Sequence, residues 1–127
     1  MVNSRRRGFT LIELLVALAI IGTLLSLAVP RYFGSLAKAE ETVLKQNLAM
    51  LREAIDQHYA DTGRYPEGID ALVSKRYLRS VPEDPITRSR ATWVAVPPPP
   101  EFAEGGMYDV KSGAAGAGRD SVPYAQL

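Results

Sequence analysis

The sequence contains no cysteine. This absence excludes a disulfide framework, a thiolate metal site and thiol catalysis. There is one histidine, His58, and we find no nucleophile elbow, no His-Glu-x-x-His pair and no glycine loop of the phosphate-binding kind. The neighbouring carboxylates Glu40 and Glu41 point about 100° apart on a helix, so they cannot act as an acid and base pair. The sequence therefore predicts a protein that is not an enzyme.

The chain also has little excess charge, with a formal net charge of +1 over 127 residues. Removal of residues 1–8 would take away three arginines and leave 12 basic against 14 acidic side chains. Nucleic-acid binding depends on clustered positive charge, and no basic stripe with interleaved aromatics is present. We expect no nucleic-acid partner, and the length allows one domain beside a membrane segment.

The amino-terminal region combines a basic cluster with a long apolar run. Arg5–Arg7 precede Gly8, and from Phe9 to Val29 the only charged residue is Glu13. These 21 residues match the ~20 that a helix needs to cross a bilayer. Basic residues before a span stay on the cytoplasmic side, which places the C-terminal region outside the cytoplasm. A carboxylate such as Glu13 costs roughly 2.5–3.5 kcal/mol at mid-bilayer, so it needs a partner.

The run Gly-Phe-Thr-Leu-Ile-Glu at residues 8–13 resembles the class III signal of type IV pilins and type II secretion pseudopilins. The resemblance implies that a prepilin peptidase cuts after Gly8 and methylates the new amino terminus at Phe9. It also implies that Glu13 meets the amino terminus of a neighbouring subunit in a filament.

An ordinary secretory signal peptide is the alternative for this region. Its apolar part is usually roughly 7–15 residues long, shorter than the run observed here. In addition, Val29-Pro30-Arg31 follows the run directly and offers no evident small-residue cleavage site.

The apolar pattern changes after the membrane segment. Apolar residues recur at helical spacing and predict one stripe of an amphipathic helix that ends near Gly63: Leu36, Val43, Leu44, Leu48, Leu51, Ile55 and Tyr59. The charged residues between them are interpreted as a solvated face: Lys38, Glu40, Glu41, Lys45, Arg52, Glu53 and Asp56. Pro30 predicts a kink or local unwinding. The alternative is that Pro30 merely ends a membrane span.

Beyond the long helix the sequence predicts a short helix over Ile69–Lys75 and two strands, Ala91–Val96 and Met107–Lys111. Trp93 is interpreted as a core anchor of the sheet, and Pro97–Pro100 as a stiff spacer. The tail from Ser112 to Leu127 is rich in Gly and Ala and is predicted to be a loop or weakly ordered. We therefore predict an α+β fold of the type IV pilin-like class, with a long N-terminal helix packed on a small antiparallel sheet.

This order of elements is similar to that of the major pseudopilins of type II secretion. The resemblance implies a cleaved leader at residues 1–8, a transmembrane and assembly helix at 9–35, and a periplasmic globular domain at 36–127. It implies an inner-membrane protein that forms a homo-oligomeric filament with other pseudopilins and an inner-membrane assembly platform. Two other functions stay open: a type IV pilin of a surface pilus, and a periplasmic binding module anchored by a single span.

The tail departs from the family in one respect. Major pseudopilins commonly bind calcium in a C-terminal loop dense in aspartate, because this cation takes six to eight oxygen ligands. The tail from Ser112 to Ser121 holds one acidic residue, Asp120, beside Arg119. We expect no cofactor and no metal. A weak calcium site from backbone carbonyls with Asp109 or Asp120 is the alternative.

Overall fold

The structure is a computed structural model that describes residues 8–101 and 105–127. Its elements, in chain order, are α1 (Leu11–Thr62), α2 (Ile69–Ser74), β1 (Trp93–Val96), β2 (Asp109–Ser112) and a short 3-10 helix η1 (Tyr124–Gln126). The chain divides after Leu36 into two compact units, which are described separately. The α+β class with a long N-terminal helix and a small antiparallel sheet is confirmed.

The first unit contains the apolar part of α1. The helix continues through Pro30 without the local unwinding that the sequence predicts. A proline removes only one N–H donor from the ladder, here the bond to the Ser26 carbonyl, and the turns on either side keep theirs.

In the second unit, α1 supplies the main wall of the core. Leu44, Leu48, Leu51 and Ile55 are almost fully buried at the predicted helical spacing. The helix ends at Thr62, and Gly63 follows with φ of 71° and donates its N–H to the Tyr59 carbonyl at 2.8 Å. A glycine adopts this left-handed conformation without steric cost, so the predicted end of the helix is confirmed.

Two residues that were predicted to lie on the solvated face are buried or partly buried. Glu41 is buried, and Arg52 is partly buried with three hydrogen-bond acceptors. Both lie at helical spacing from core residues, because position 41 is three before Leu44 and position 52 is four after Leu48. The interpretation of Glu41 and Arg52 as solvated charges is therefore wrong.

The two strands pair antiparallel, with Trp93 opposite Ser112 and Val96 opposite Asp109. They are shorter than predicted, and β2 begins two residues later. Trp93 packs against the core cluster and donates its indole N–H to the Pro82 carbonyl at 2.8 Å. Its predicted role as an anchor of the sheet is confirmed.

The tail after β2 is packed, in contrast to the prediction of a weakly ordered loop. Ala114 is buried, Ala117 and Pro123 form an isolated bridge, and Tyr124 and Leu127 pack against the core. The prediction relied on the Gly and Ala content of the tail. It gave too little weight to the side chains of Tyr124 and Leu127, whose burial against the core is favourable.

Gly113 lies where the tail leaves β2. A Cβ atom built on it would overlap the backbone oxygen of Thr92, which cannot move as the end of a flexible side chain could. We therefore expect Gly113→Ala to lower the free energy of unfolding by about 1–3 kcal/mol. Urea unfolding followed by Trp93 fluorescence measures this loss. Gly68→Ala is the control, since a Cβ there meets no atom within 4 Å, and an equal loss in both variants would contradict the prediction.

Candidate processing and assembly site at the amino terminus

The predicted cleavage point lies in an open part of the described chain. Gly8 and Phe9 precede the helix, and a Cβ built on Gly8 would meet no atom within 4 Å. The Phe9 side chain is 86% exposed. The basic leader Arg5–Arg7 lies outside the described residues. The bond after Gly8 is therefore sterically accessible within the part of the chain that the structure describes.

Thr10 and Glu13 form the start of α1. The backbone N–H of Glu13 donates to the Thr10 hydroxyl oxygen at 3.2 Å, and the N–H of Leu14 donates to the Thr10 carbonyl at 3.1 Å. Thr10 thus caps the helix, and Glu13 occupies the third helical position, as in a capping box. Sequence analysis missed this role, although Thr-x-x-Glu before an apolar run signals it. Thr10 therefore has a structural function at the start of α1, and its hydroxyl bonds the backbone of Glu13 and not the carboxylate.

The environment of the Glu13 carboxylate leaves it available to another molecule. Glu13 is exposed, and it forms no ion pair with any residue among 8–101 and 105–127. It lies in the first turn of α1, where the positive end of the helix dipole favours a negative charge. This local field offsets part of the cost of the charge and leaves both carboxylate oxygens able to accept from a partner.

The helix surface that follows is apolar on all sides. The large side chains from Leu11 to Val29 are between 44% and 77% exposed in the single chain. By length and composition α1 is a helix able to cross a membrane, with an 18-residue window of mean hydropathy 2.5 that is not buried within the molecule. This surface requires lipid or other apolar helices around it.

His58, the candidate for hidden chemistry, has a structural position in the second unit. It is 2% exposed, and its Nδ1 lies 2.8 Å from the Arg64 carbonyl, so Nδ1 is the protonated nitrogen that donates. Its Nε2 lies 3.3 Å from the Lys75 ammonium. The neighbouring Tyr77 hydroxyl donates to Asp61, and this hydrogen bond raises the pKa of Tyr77. The arrangement joins the end of α1 to the segment that follows α2.

Two family models together match nearly the whole chain. One, described as a prokaryotic N-terminal methylation motif, matches residues 3–29. The other, described as type II secretion system protein G, matches residues 31–117. The first match covers Gly8, Phe9 and Glu13, the residues that the sequence analysis selected for processing and assembly. No solved structure matches the chain.

Curated relatives agree with the second model. The type II secretion system core protein G of Klebsiella pneumoniae is 37% identical over 64% of this chain and 69% of its own length. That of Escherichia coli K12 is 32% identical over 87% of this chain and 82% of its own length. That of Pectobacterium carotovorum is 36% identical, and the alignment spans 62% of its length. The chain therefore belongs to the type II secretion system protein G family, the major pseudopilins.

Proposed function

We propose that the chain is the repeating subunit of a periplasmic pseudopilus that drives type II protein secretion. Before assembly the subunit lies in the inner membrane, with residues 36–127 in the periplasm. A prepilin peptidase cuts after Gly8 and methylates Phe9, and the subunit then joins the base of a growing filament. Growth of the filament moves folded cargo toward the outer membrane.

One observation carries this proposal. The N-terminal methylation motif at residues 3–29 is followed almost immediately by the protein G model at residues 31–117. The exposed apolar surface of α1 supports the same function, because side chains that are unburied in one subunit can pack against equivalent helices of other subunits. Partners of the subunit would be further copies of itself, other pseudopilins and the inner-membrane assembly platform.

Glu13 and Phe9 would set the axial register of the filament. The carboxylate of one subunit would pair with the methylated amino group of Phe9 in a neighbour, in a region of low dielectric where an ion pair is strong. Desolvation of Glu13 would otherwise be costly, so a subunit that is added out of register would leave a charge unpaired. The pairing thus selects one register among those that apolar packing alone would allow.

The site supports a structural function and no catalytic one. Within the described residues no group of three or more metal-ligating side chains is placed to hold a metal ion. We propose that the chain acts without cofactor and without enzymatic activity. Of the two other functions, the match to the protein G model favours the pseudopilus over a surface pilus. A simple anchor for a binding module has no use for Glu13.

A deletion strain tests the proposed function. Loss of the gene is expected to leave secretion cargo in the periplasm, and the wild-type chain supplied on a plasmid is expected to restore its release. Normal secretion together with loss of surface pili would instead support the pilin function. Normal secretion with no filament in either compartment would support the anchored module.

Processing gives a separate prediction. Because Gly8 is unobstructed and lies within the matched methylation motif, we expect the mature chain to begin at Phe9 with a methylated amine. Intact-mass analysis of protein purified from membranes measures this. A leucine at position 8 would place a bulky side chain beside the scissile bond, so Gly8→Leu is expected to accumulate uncut precursor. Retention of Met1 in wild-type cells that contain the peptidase would contradict the prediction.

A further inference from the structure

Calcium is the metal that the resemblance to major pseudopilins implies for the C-terminal loop, and the residues present do not fit it. This cation needs several carboxylate oxygens among its six to eight ligands. Asp120 lines a polar cavity of about 400 Å³ that is also lined by the cationic side chains Lys38, Lys45 and Arg119. The other acidic side chain of that cavity, Glu41, is 3.4 Å from the Lys45 ammonium. A divalent cation would meet positive charge here.

Asp109 is also committed to other partners. Its Oδ1 accepts from the Arg52 Nε at 2.8 Å and from the backbone N–H of Val110 at 2.7 Å. While the ion pair with Arg52 is kept, Asp109 can offer calcium only its Oδ2 atom, beside a guanidinium. The donor set that the sequence leaves as an alternative is therefore short of the several carboxylate oxygens that calcium needs.

The guanidinium of Arg52 connects three parts of the domain. From α1 it reaches the carboxylate of Asp109 at the start of β2, the backbone oxygen of Val110 at 3.2 Å and the backbone oxygen of Leu127 at 2.7 Å. A guanidinium has a planar fork of five N–H donors, so one side chain can hold several acceptors at once. Arg52 thus holds the tail segment to the helix and the sheet.

The contacts around Arg52 connect its hydrogen bonds to the position of the tail. Val110 in β2 is fully buried. Tyr124 and Leu127 pack against the core, and both lie on the tail segment that Arg52 binds. The tail closes on itself through backbone bonds, among them Tyr124 N–H to the Gly116 oxygen at 3.1 Å and Gly118 N–H to the Val122 oxygen at 3.0 Å. A local opening of the tail must therefore break the bond between Arg52 and Leu127.

We propose that Arg52 is a metal-free clamp that holds in place the C-terminal segment 113–127, the segment for which the family resemblance implies calcium. An isolated exposed ion pair contributes little, but Arg52 is only 37% exposed and binds two backbone oxygens as well as a carboxylate. The order of the tail is therefore independent of calcium and dependent on this one side chain.

Hydrogen exchange measured by mass spectrometry on the full mature chain in detergent micelles tests the clamp. Peptides from residues 113–127 report the tail, and peptides around Leu48 and Leu51 report the core of α1. Arg52→Gln removes the charge and the fork. It is expected to speed exchange in the tail about tenfold or more, since hydrogen bonds to a charged group are the stronger kind, with a smaller change in α1.

Three further variants separate the contributions. Arg52→Lys keeps the charge but not the fork, so it is expected to give an intermediate rise. Asp109→Asn keeps both backbone acceptors and is expected to give a smaller rise than Arg52→Gln. The matched control is Arg79→Gln, because among the described residues the Arg79 side chain has no hydrogen bond, and wild-type exchange is expected.

The calcium arm uses calcium chloride at millimolar concentration against excess chelator. Equal tail exchange in both conditions is expected for the wild type. Tenfold slower exchange with calcium would overturn the proposal. So would equal tail exchange in Arg52→Gln and Arg79→Gln, or an equal rise in tail and α1 peptides in all three variants at positions 52 and 109. None of these readouts depends on filament assembly, so the clamp and the proposed function can fail separately.

Discussion

Glu13→Gln is expected to abolish filament assembly while membrane insertion stays normal. Glutamine has nearly the same size, also serves at the third helical position, and keeps the backbone N–H that donates to the Thr10 hydroxyl. It removes only the negative charge. Loss of an intramembrane charge makes insertion cheaper by as much as roughly 2.5–3.5 kcal/mol, so the subunit is expected to reach the membrane at least as well as the wild type.

This substitution distinguishes a role of Glu13 at the start of α1 from its proposed role in assembly. If Glu13 served only the start of α1, Gln would be tolerated, and Thr10→Ala would be the damaging change because it removes the hydroxyl that accepts from the Glu13 N–H. If the carboxylate pairs with the methylated amine of Phe9 in a neighbour, Gln fails and Thr10→Ala retains assembly, with a loss of about 1 kcal/mol in the helix start.

Cross-linking of membranes followed by immunoblotting measures assembly as a ladder of multimers. Membrane fractionation and intact mass show in the same samples that the variant is inserted and processed. We expect a ladder for Thr10→Ala and the wild type and none for Glu13→Gln. A wild-type ladder from Glu13→Gln at equal abundance would show that the charge does not direct assembly.

The sequence alone was sufficient for those elements whose signals are local. The helical stripe that contains Leu44, Leu48 and Leu51 predicted the buried face of α1, and Gly63 predicted its end. Trp93 predicted the sheet anchor because a large aromatic in a strand has to be covered. Each of these signals depends on residues close together in the chain, which is why they could be read before the structure.

What could not be predicted depends on contacts that are distant along the chain. Arg52 was assigned to solvent because its partners, Asp109 and Leu127, lie 57 and 75 residues away. The tail was assigned to a loose loop because its Gly and Ala content was given more weight than Tyr124 and Leu127, whose core partners are distant along the chain. Glu41 and Arg52 nevertheless lie at helical spacing from the core residues of the apolar stripe. A charged residue at such a position is the sequence signal that predicts a buried or paired charge.

The roles of Gly8, Phe9 and Glu13 in processing and assembly stay predictions. These residues were selected by their sequence pattern, and the methylation-motif match spans all three. The cap by Thr10 was not predicted, because Glu13 was interpreted only as an unusual charge in an apolar run. An acidic residue is also ordinary in the first turn of a helix. Both roles fit the same residue, because a charge in the first turn is tolerated there before any neighbour arrives.

Asp84 is a residue whose loss is expected to damage the fold. Its side chain is fully buried and accepts from the Ile86 N–H at 2.9 Å and from the Ser112 hydroxyl at 2.5 Å. The Ser112 hydroxyl oxygen in turn accepts from the Ala114 N–H at 3.1 Å. One carboxylate thereby connects the turn before β1 to the end of β2. No local sequence pattern announces this link, because Ser112 lies 28 residues away.

Asp84→Ala is expected to lower the free energy of unfolding by about 3 kcal/mol, because hydrogen bonds to a charged group contribute about 1.5–3 kcal/mol and buried donors are left without an acceptor. Urea unfolding of the full chain in detergent measures the loss. The single tryptophan, Trp93, reports it, since its indole is hydrogen-bonded to the carbonyl of Pro82, two residues away from Asp84.

Glu83→Ala removes the exposed carboxylate of the neighbouring residue and is expected to change the free energy of unfolding little. Ser112→Ala removes one bond and leaves the carboxylate its backbone donors, so an intermediate loss is expected. A loss below 1 kcal/mol for Asp84→Ala, or one equal to that of Glu83→Ala, would mean that the buried carboxylate does not hold the two strands' flanking segments together.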